Sequence, residues 1–158
     1  MRPELAEPIR EQEKLRTLLP LAEEIYHLHE AGLPYTEQLK QVSRIAGRIV
    51  GVPEVKYAFG TYPSECFSRR LLTNWNSVPR DLSRQEMLDL LDAVCSANGS
   101  PDRCEYWMKC LEVNTGNSAI SDLIYWTDQY CDGEYKGRNL SIAEMLDVAL
   151  LHGTRPTA

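Results

Sequence analysis

From Leu15 onward the apolar residues of this chain recur at intervals of three and four, the period of one face of an α-helix. Leu18, Leu19, Leu21, Ala22, Ile25, Tyr26 and Leu28 keep that spacing and predict an amphipathic helix ending at Gly32. Pro20 lies inside the pattern, as a kink or as the true start. Thr36 is a candidate N-cap for a second helix, with Leu39, Val42, Ile45, Ala46 and Ile49 on one face and Gly51 after it. Residues 53–59 predict a short helical turn, and Pro63-Ser64 opens a helix carrying Phe67, Leu71, Leu72 and Trp75. Asn76-Ser77-Val78-Pro79 reads as a linker.

The second half starts on a strong helix signal. Ser83 is followed three residues later by Glu86, the capping-box spacing, and Leu82 precedes it as a staple residue. Met87, Leu88, Leu90, Leu91, Val94 and Cys95 supply the apolar face. Ala97-Asn98-Gly99-Ser100-Pro101 breaks the chain, and Ser100 caps a second helix with Pro101 at its first position. That helix has Cys104, Trp107, Met108 and Leu111 on its apolar face. A loop over residues 114–117 leads to Ser121-Asp122-Leu123-Ile124-Tyr125-Trp126, a short and unusually aromatic segment. An acidic loop with Asp128, Asp132, Gly133 and Glu134 follows, and Ser141 with Glu144 makes a second capping box. It opens a last helix carrying Met145, Leu146, Val148, Ala149 and Leu150. With no strand signal anywhere, the fold class is all-α, in two modules: residues 1–79, helical and of unassigned role, and residues 80–158.

Charge separates the same two halves. Residues 1–79 carry 10 basic and 10 acidic side chains, whereas residues 80–158 carry 7 basic and 13 acidic, so the whole net charge of −6 sits in the second half. An acidic chain with a pI near 5.1 argues against direct nucleic-acid binding, which needs clustered Lys and Arg, and suits a basic partner. No run approaches the roughly 18 apolar residues of a membrane span, so no membrane partner is expected. Met1-Arg2-Pro3-Glu4-Leu5 holds no apolar signal-peptide core, which predicts a cytoplasmic chain. Cys66, Cys95, Cys104, Cys110 and Cys131 are odd in number and lack CxxC pairing, which predicts reduced thiols and no structural zinc. Cys95 and Cys104, inside helical patterns, are expected to act as small hydrophobes.

The search for catalytic chemistry returns little. His27 and His29 are two apart, which on a helix points them to different faces and makes a poor metal pair. His152 near the end of the last helix suits the helix dipole. No Ser or Cys has a nucleophile context, and no glycine-rich phosphate loop is present. No enzyme, metal or cofactor is expected.

The informative stretch is 121–126. A short helix buries little of its own surface; Leu123 and Ile124 can supply its core contacts, which leaves Tyr125 and Trp126 at least partly available. Aromatics beside an acid are the composition of an interface hot spot. From Leu82 to about Gly153, roughly 70 of the 158 residues, the chain resembles the small four-helix immunity proteins that protect bacteria against their own DNase colicins and S-type pyocins. The resemblance rests on the capped first helix ending Val94-Cys95-Ser96-Ala97-Asn98, on the acidic second helix, and on Ser-Asp-Leu-Ile-Tyr-Trp at 121–126, which matches the family's third-helix motif Ser-Asp-Leu-Ile-Tyr-Tyr-Pro. Trp126 stands for the second Tyr, and Thr127 for the Pro that ends the short helix.

The resemblance implies an antiparallel four-helix bundle with a short third helix, and a cytoplasmic bacterial antitoxin without enzymatic activity. Its partner would be a basic nuclease toxin domain of the HNH type. Such proteins bind an exosite beside the nuclease active site and block DNA access by bulk and negative charge. Carried over, Ser121, Asp122, Tyr125 and Trp126 would form the common toxin-binding anchor, and Cys104, Glu105, Met108 and Glu112 the partner-selecting set. The competing class is a non-enzymatic helical adaptor, for which the motif is coincidence.

Overall fold

A computed structural model describes residues 1–6, 10–135 and 137–153. Ten helices and no strand occur among them, so the all-α expectation holds. The chain divides into two compact units: Pro8–Thr73, and Met1–Glu7 together with Asn74–Ala158. The division falls at 73/74 where the sequence reading placed it at 79/80, and the first residues group with the second unit.

In the Pro8–Thr73 unit, α2 (Gln12–Glu30) packs against α3 (Thr36–Ala46), α4 (Val52–Phe59) and α5 (Ser64–Leu72). Leu18, Ala22 and Ile25 of α2 meet Leu39, Val42, Val55, Ala58, Phe67 and Leu71 in one core. Pro20 neither starts nor ends α2, which runs through it; its ring lies on the exposed side. Three local expectations are corrected. Thr36 is the first helical residue of α3 and Tyr35 its cap position. That helix ends at Ala46, because Gly47 turns left-handed at φ 71° and its N–H closes on the Ser43 carbonyl. Ile49 is therefore thrown outward, 90% exposed, and Gly51 serves as the N-cap of α4, a two-turn helix. Arg10 donates to the Arg69 carbonyl at 3.1 Å and to Thr73 Oγ1 at 3.3 Å, tying the two ends of this unit together.

The second unit comprises α1 (Pro3–Ala6), α6 (Arg84–Cys95), α7 (Pro101–Thr115), α8 (Ile120–Tyr125), α9 (Thr127–Tyr130) and α10 (Ile142–His152). Both predicted capping boxes form: Ser83 Oγ accepts from Glu86 N while Glu86 accepts from Ser83 N, and Ser141 with Glu144 repeats the arrangement. Ser100 and Pro101 hold the predicted positions at the start of α7, but the Ser100 side chain makes no capping bond. The buried stripe of α7 is Asp102, Tyr106, Trp107, Cys110, Leu111 and Thr115. Cys104 and Met108, expected on it, lie at its half-buried edge, and Cys95 at the end of α6 is exposed rather than core.

The stretch expected as a linker is packed. Val78 is buried beside Leu82, and Asn114 donates to the Pro79 carbonyl at 2.7 Å while accepting from Leu82 N at 3.0 Å. Trp75, expected on α5, lies beyond its end and packs on the second core. That core also takes Leu5, fully buried, whose carbonyl accepts from Trp107 Nε1 at 2.7 Å. Tyr106 OH donates to the Glu4 carbonyl, and Arg2 Nε meets Glu86 at 2.7 Å with Asp81 at 3.1 Å. Gly153 closes α10 onto α7 so tightly that a Cβ there would stand 1.9 Å from the Thr115 carbonyl oxygen.

The N-terminal strap is thus core, and Leu5→Ala should cost about 2–5 kcal/mol, as other large-to-small core changes do. Urea unfolding followed by Trp107 emission checks this; a loss under about 0.5 kcal/mol, typical of exposed sites, would remove Leu5 from the core. The capping boxes predict an acid limb. The Ser83 backbone N–H and hydroxyl, with Arg2 adding to them, hold Glu86 below the usual carboxylate range; Ser141 and Arg138 do the same for Glu144. A depressed carboxylate stabilises the fold above its unfolded value, and that contribution disappears as pH falls through the folded one. The melting temperature should therefore drop between roughly pH 5 and pH 3, and Glu86→Gln with Glu144→Gln should flatten that limb.

Candidate protein-binding surface

The short helix α8 is laid down by its inward residues. Ile120 and Leu123 are fully buried and Ile124 is half-buried. With those positions facing the core, the 3.6-residue period turns Asp122 and Tyr125 outward. Trp126 then leaves the helix at φ −136° and ψ 45°, its N–H still bonded to the Asp122 carbonyl at 2.8 Å. Tyr125 is 60% and Trp126 61% exposed, two adjacent large rings open to water. Ser121 is half-buried at their side.

Thr127, at the place of the resembled family's proline, does not continue α8. Its Oγ1 donates to the Leu123 carbonyl at 2.7 Å, and the Trp126 carbonyl accepts from Gln129 and Tyr130 to begin α9. A hydroxyl that bonds back to the preceding turn thus ends one helix and admits another.

Helix α7, which packs on α8, carries the second set. Cys104, Glu105, Met108 and Glu112 are all half-buried along one side of it. Glu112 takes the Lys109 ammonium at 2.8 Å, and Cys104 Sγ lies 3.8 Å from the Gly99 carbonyl. Tyr125 lies near both sets: partial desolvation at its inner edge, then the neighbouring Cys104 and Cys95, raise its phenol above the ordinary value. Partial desolvation, then Asp92 beside Cys95 and Asp102 beside Cys104, likewise raises both thiols above their ordinary value.

An open groove of about 710 Å³ runs beside the aromatic pair. Besides Tyr125 and Trp126 it is lined by Cys95, Asp128, Arg138 and Met145 among others. Cys95, Asp128 and the wall at 138–140 were not among the sequence-predicted site residues. Cys95 carried a signal in the stretch that ends the first capped helix, and Asp128 in the acidic segment after the aromatic pair, though it was read as loop and lies in α9. Arg138 reaches the groove from a loop without periodicity; its guanidinium is engaged by Glu144 and lies over the Tyr135 ring.

The chain matches no family model, no curated protein and no solved structure.

Among the described residues no group of three or more His, Cys, Asp or Glu is arranged to hold a metal ion, and no helix is long and apolar enough to cross a membrane. His29 lies 3.1 Å from Tyr35 OH and against the Phe59 ring, and the exposed His152 lies 3.1 Å from Tyr130 OH. What the α7–α8 face offers is contact: two exposed rings, half-buried sulfur groups and carboxylates.

The three tryptophans differ sharply in access, with Trp107 buried, Trp75 half-buried and Trp126 open. Trp126→Phe should remove the largest share of acrylamide-quenchable fluorescence and leave stability within about 0.5 kcal/mol, as exposed substitutions do. Unchanged quenching would place the Trp126 ring inside the core.

Proposed function

We propose that the chain is an immunity-type inhibitor whose second unit binds a basic bacterial nuclease toxin domain, of the HNH type, through the face built by α7 and α8. On this reading α6, α7, α8 and α10 are the four helices of the immunity-type bundle, with α8 as the short third helix. The observation that carries it is the pair Tyr125–Trp126. Two large aromatics at 60% and 61% exposure, the last residue of a six-residue helix and the one after it, contribute little to folding. They have the chemistry of binding hot spots.

Charge supports the same reading. The unit formed by Met1–Glu7 and Asn74–Ala158 has 8 basic and 15 acidic side chains, net −7, while Pro8–Thr73 has 9 basic and 8 acidic, net +1. A nuclease domain must be basic to hold phosphates, so a partner of charge −7 is steered to it and repels its substrate. The bound inhibitor need not enter the active site: an acidic body beside it denies DNA the path. Asp122 and Asp128, both exposed, flank the aromatic pair along the chain and would face the toxin's cations. The resemblance at 121–126 adds the partner class, and the half-buried edge of α7 with Glu105, Met108 and Glu112 supplies side chains that could discriminate among toxins.

The test mixes the purified protein with the nuclease domain encoded beside its gene and follows DNA cleavage as the ratio rises. Cleavage should stop at one-to-one stoichiometry. Tyr125→Ala and Trp126→Ala should each weaken the complex by about 2 kcal/mol or more, roughly thirtyfold in Kd. Full cleavage with no complex formed would overturn the reading and favour a helical adaptor.

A further inference from the structure

Helices of six and four residues do not persist alone, because nucleation costs more than so few hydrogen bonds return. Yet α8 and α9 carry the exposed rings, joined through the non-helical Trp126. Ile120 and Leu123 anchor this segment from inside. Its base is closed by a side chain. Asn117, 4% exposed, uses every polar group it has. Its N–H donates to Thr115 Oγ1 at 3.3 Å, and its carbonyl accepts from Ile120 N at 3.3 Å. Its Oδ1 accepts from Ala119 N at 3.0 Å, where α8 begins. Its Nδ2 donates to Tyr130 OH at 2.8 Å and to the Ala149 carbonyl at 3.3 Å.

Tyr130 is the last residue of α9, thirteen positions on, and its hydroxyl also lies 3.1 Å from His152 Nδ1. One amide therefore joins the two ends of the segment 117–130 and fastens its base to α10, with Tyr125 and Trp126 between the ends. We propose that Asn117 and Tyr130 form a clasp that holds this segment closed, and are thereby positioning residues for the aromatic pair. The bearing on a partner rests on the inhibitor reading; the clasp itself does not. A segment ordered before binding does not lose that conformational freedom on association, so a clasp acts chiefly on how long a complex lasts. Removing one partner of this part-buried bond leaves an N–H of the buried Asn117 without its acceptor, which opens the segment locally before the unit unfolds.

Tyr130→Phe deletes the hydroxyl and keeps the ring; Asn117→Ala removes both the Oδ1 acceptor toward Ala119 and the Nδ2 donor toward Tyr130. Amide hydrogen exchange by NMR reads the result without any partner. Exchange at Leu123, Trp126 and Tyr130, whose N–H groups bond within the segment, should accelerate about tenfold in either variant. Exchange at Leu91, Leu111 and Leu146, in α6, α7 and α10, should not change. Unchanged exchange in the segment, or equal acceleration in the segment and in α6, α7 and α10, would overturn the clasp. The second arm measures dissociation of the complex with the nuclease domain encoded beside the gene. Tyr130→Phe leaves Tyr125 and Trp126 intact and should still speed release about tenfold. Unchanged release together with faster exchange would overturn the positioning role. If the wild-type protein forms no complex, the inhibitor reading falls and the exchange arm alone decides the clasp.

Discussion

The hydrogen bond from Trp107 Nε1 to the Leu5 carbonyl sets the topology of the second unit. It joins residues 102 apart and places the first residues of the chain in the core that α6, α7 and α10 complete. The chain leaves that unit after its first residues and returns at Asn74, so Pro8–Thr73 is in effect an insertion. Were that insertion unfolded, the strap would be held by a long loop. Folded, it has Arg10 bonded to Thr73, so its ends are already together. Loop closure costs about 0.6 kcal/mol per doubling of length, so shortening the effective loop roughly eightfold favours the docked strap by about 2 kcal/mol. Folding of the inserted helices thus stabilises the other unit without any contact being required between them.

The exposed rings need the opposite explanation, because the fold gains little from them. Burial of Ile120 and Leu123 fixes the rotation of α8, and everything outside that inner stripe is left to solvent. Tyr125 and Trp126 fall there as neighbours, on a unit whose net charge of −7 already works against compactness through self-repulsion. Exposed apolar area and excess charge are both costs to an isolated chain. On the inhibitor reading, their coincidence on one unit suits a surface that meets an oppositely charged partner.

How much of this was legible in the sequence depends on whether the determining contact is local. The capping boxes at Ser83/Glu86 and Ser141/Glu144 were, since their bonds span three residues and need no other part of the chain. So was the outward turn of Tyr125, whereas α8 was read as 121–126 and runs Ile120–Tyr125, leaving Trp126 outside it. The strap was not. A four-residue helix has no period, and only Trp107 and Arg2's distant acids give Leu5 its place. The apparent linker was misread for the same reason: Val78 looks like loop until Asn114 is seen to bridge Pro79 and Leu82. Ile49 failed in the other direction, since apolar periodicity ran on past Gly47, where the backbone turned left-handed. At the site, half-burial of Met108 was foreshadowed by its sharing a face with Trp107, but the groove wall at 138–140 had no local pattern to announce it.

Each capping-box glutamate also does more than start its helix. In Glu86, one carboxylate oxygen accepts from the Ser83 N–H and hydroxyl, and the other forms an ion pair with Arg2 of the strap. In Glu144, one oxygen takes Ser141, and the other takes Arg138 of the groove wall. The same division of a carboxylate into a local and a distant bond therefore ties the strap to α6 and the groove wall to α10. A consequence follows for the binding face. Arg138 lines the groove beside Trp126, and its charge is compensated by Glu144 rather than by Asp128. On the inhibitor reading, an arginine already held by Glu144 takes less from the acidic field of Asp122 and Asp128 that a basic partner would meet.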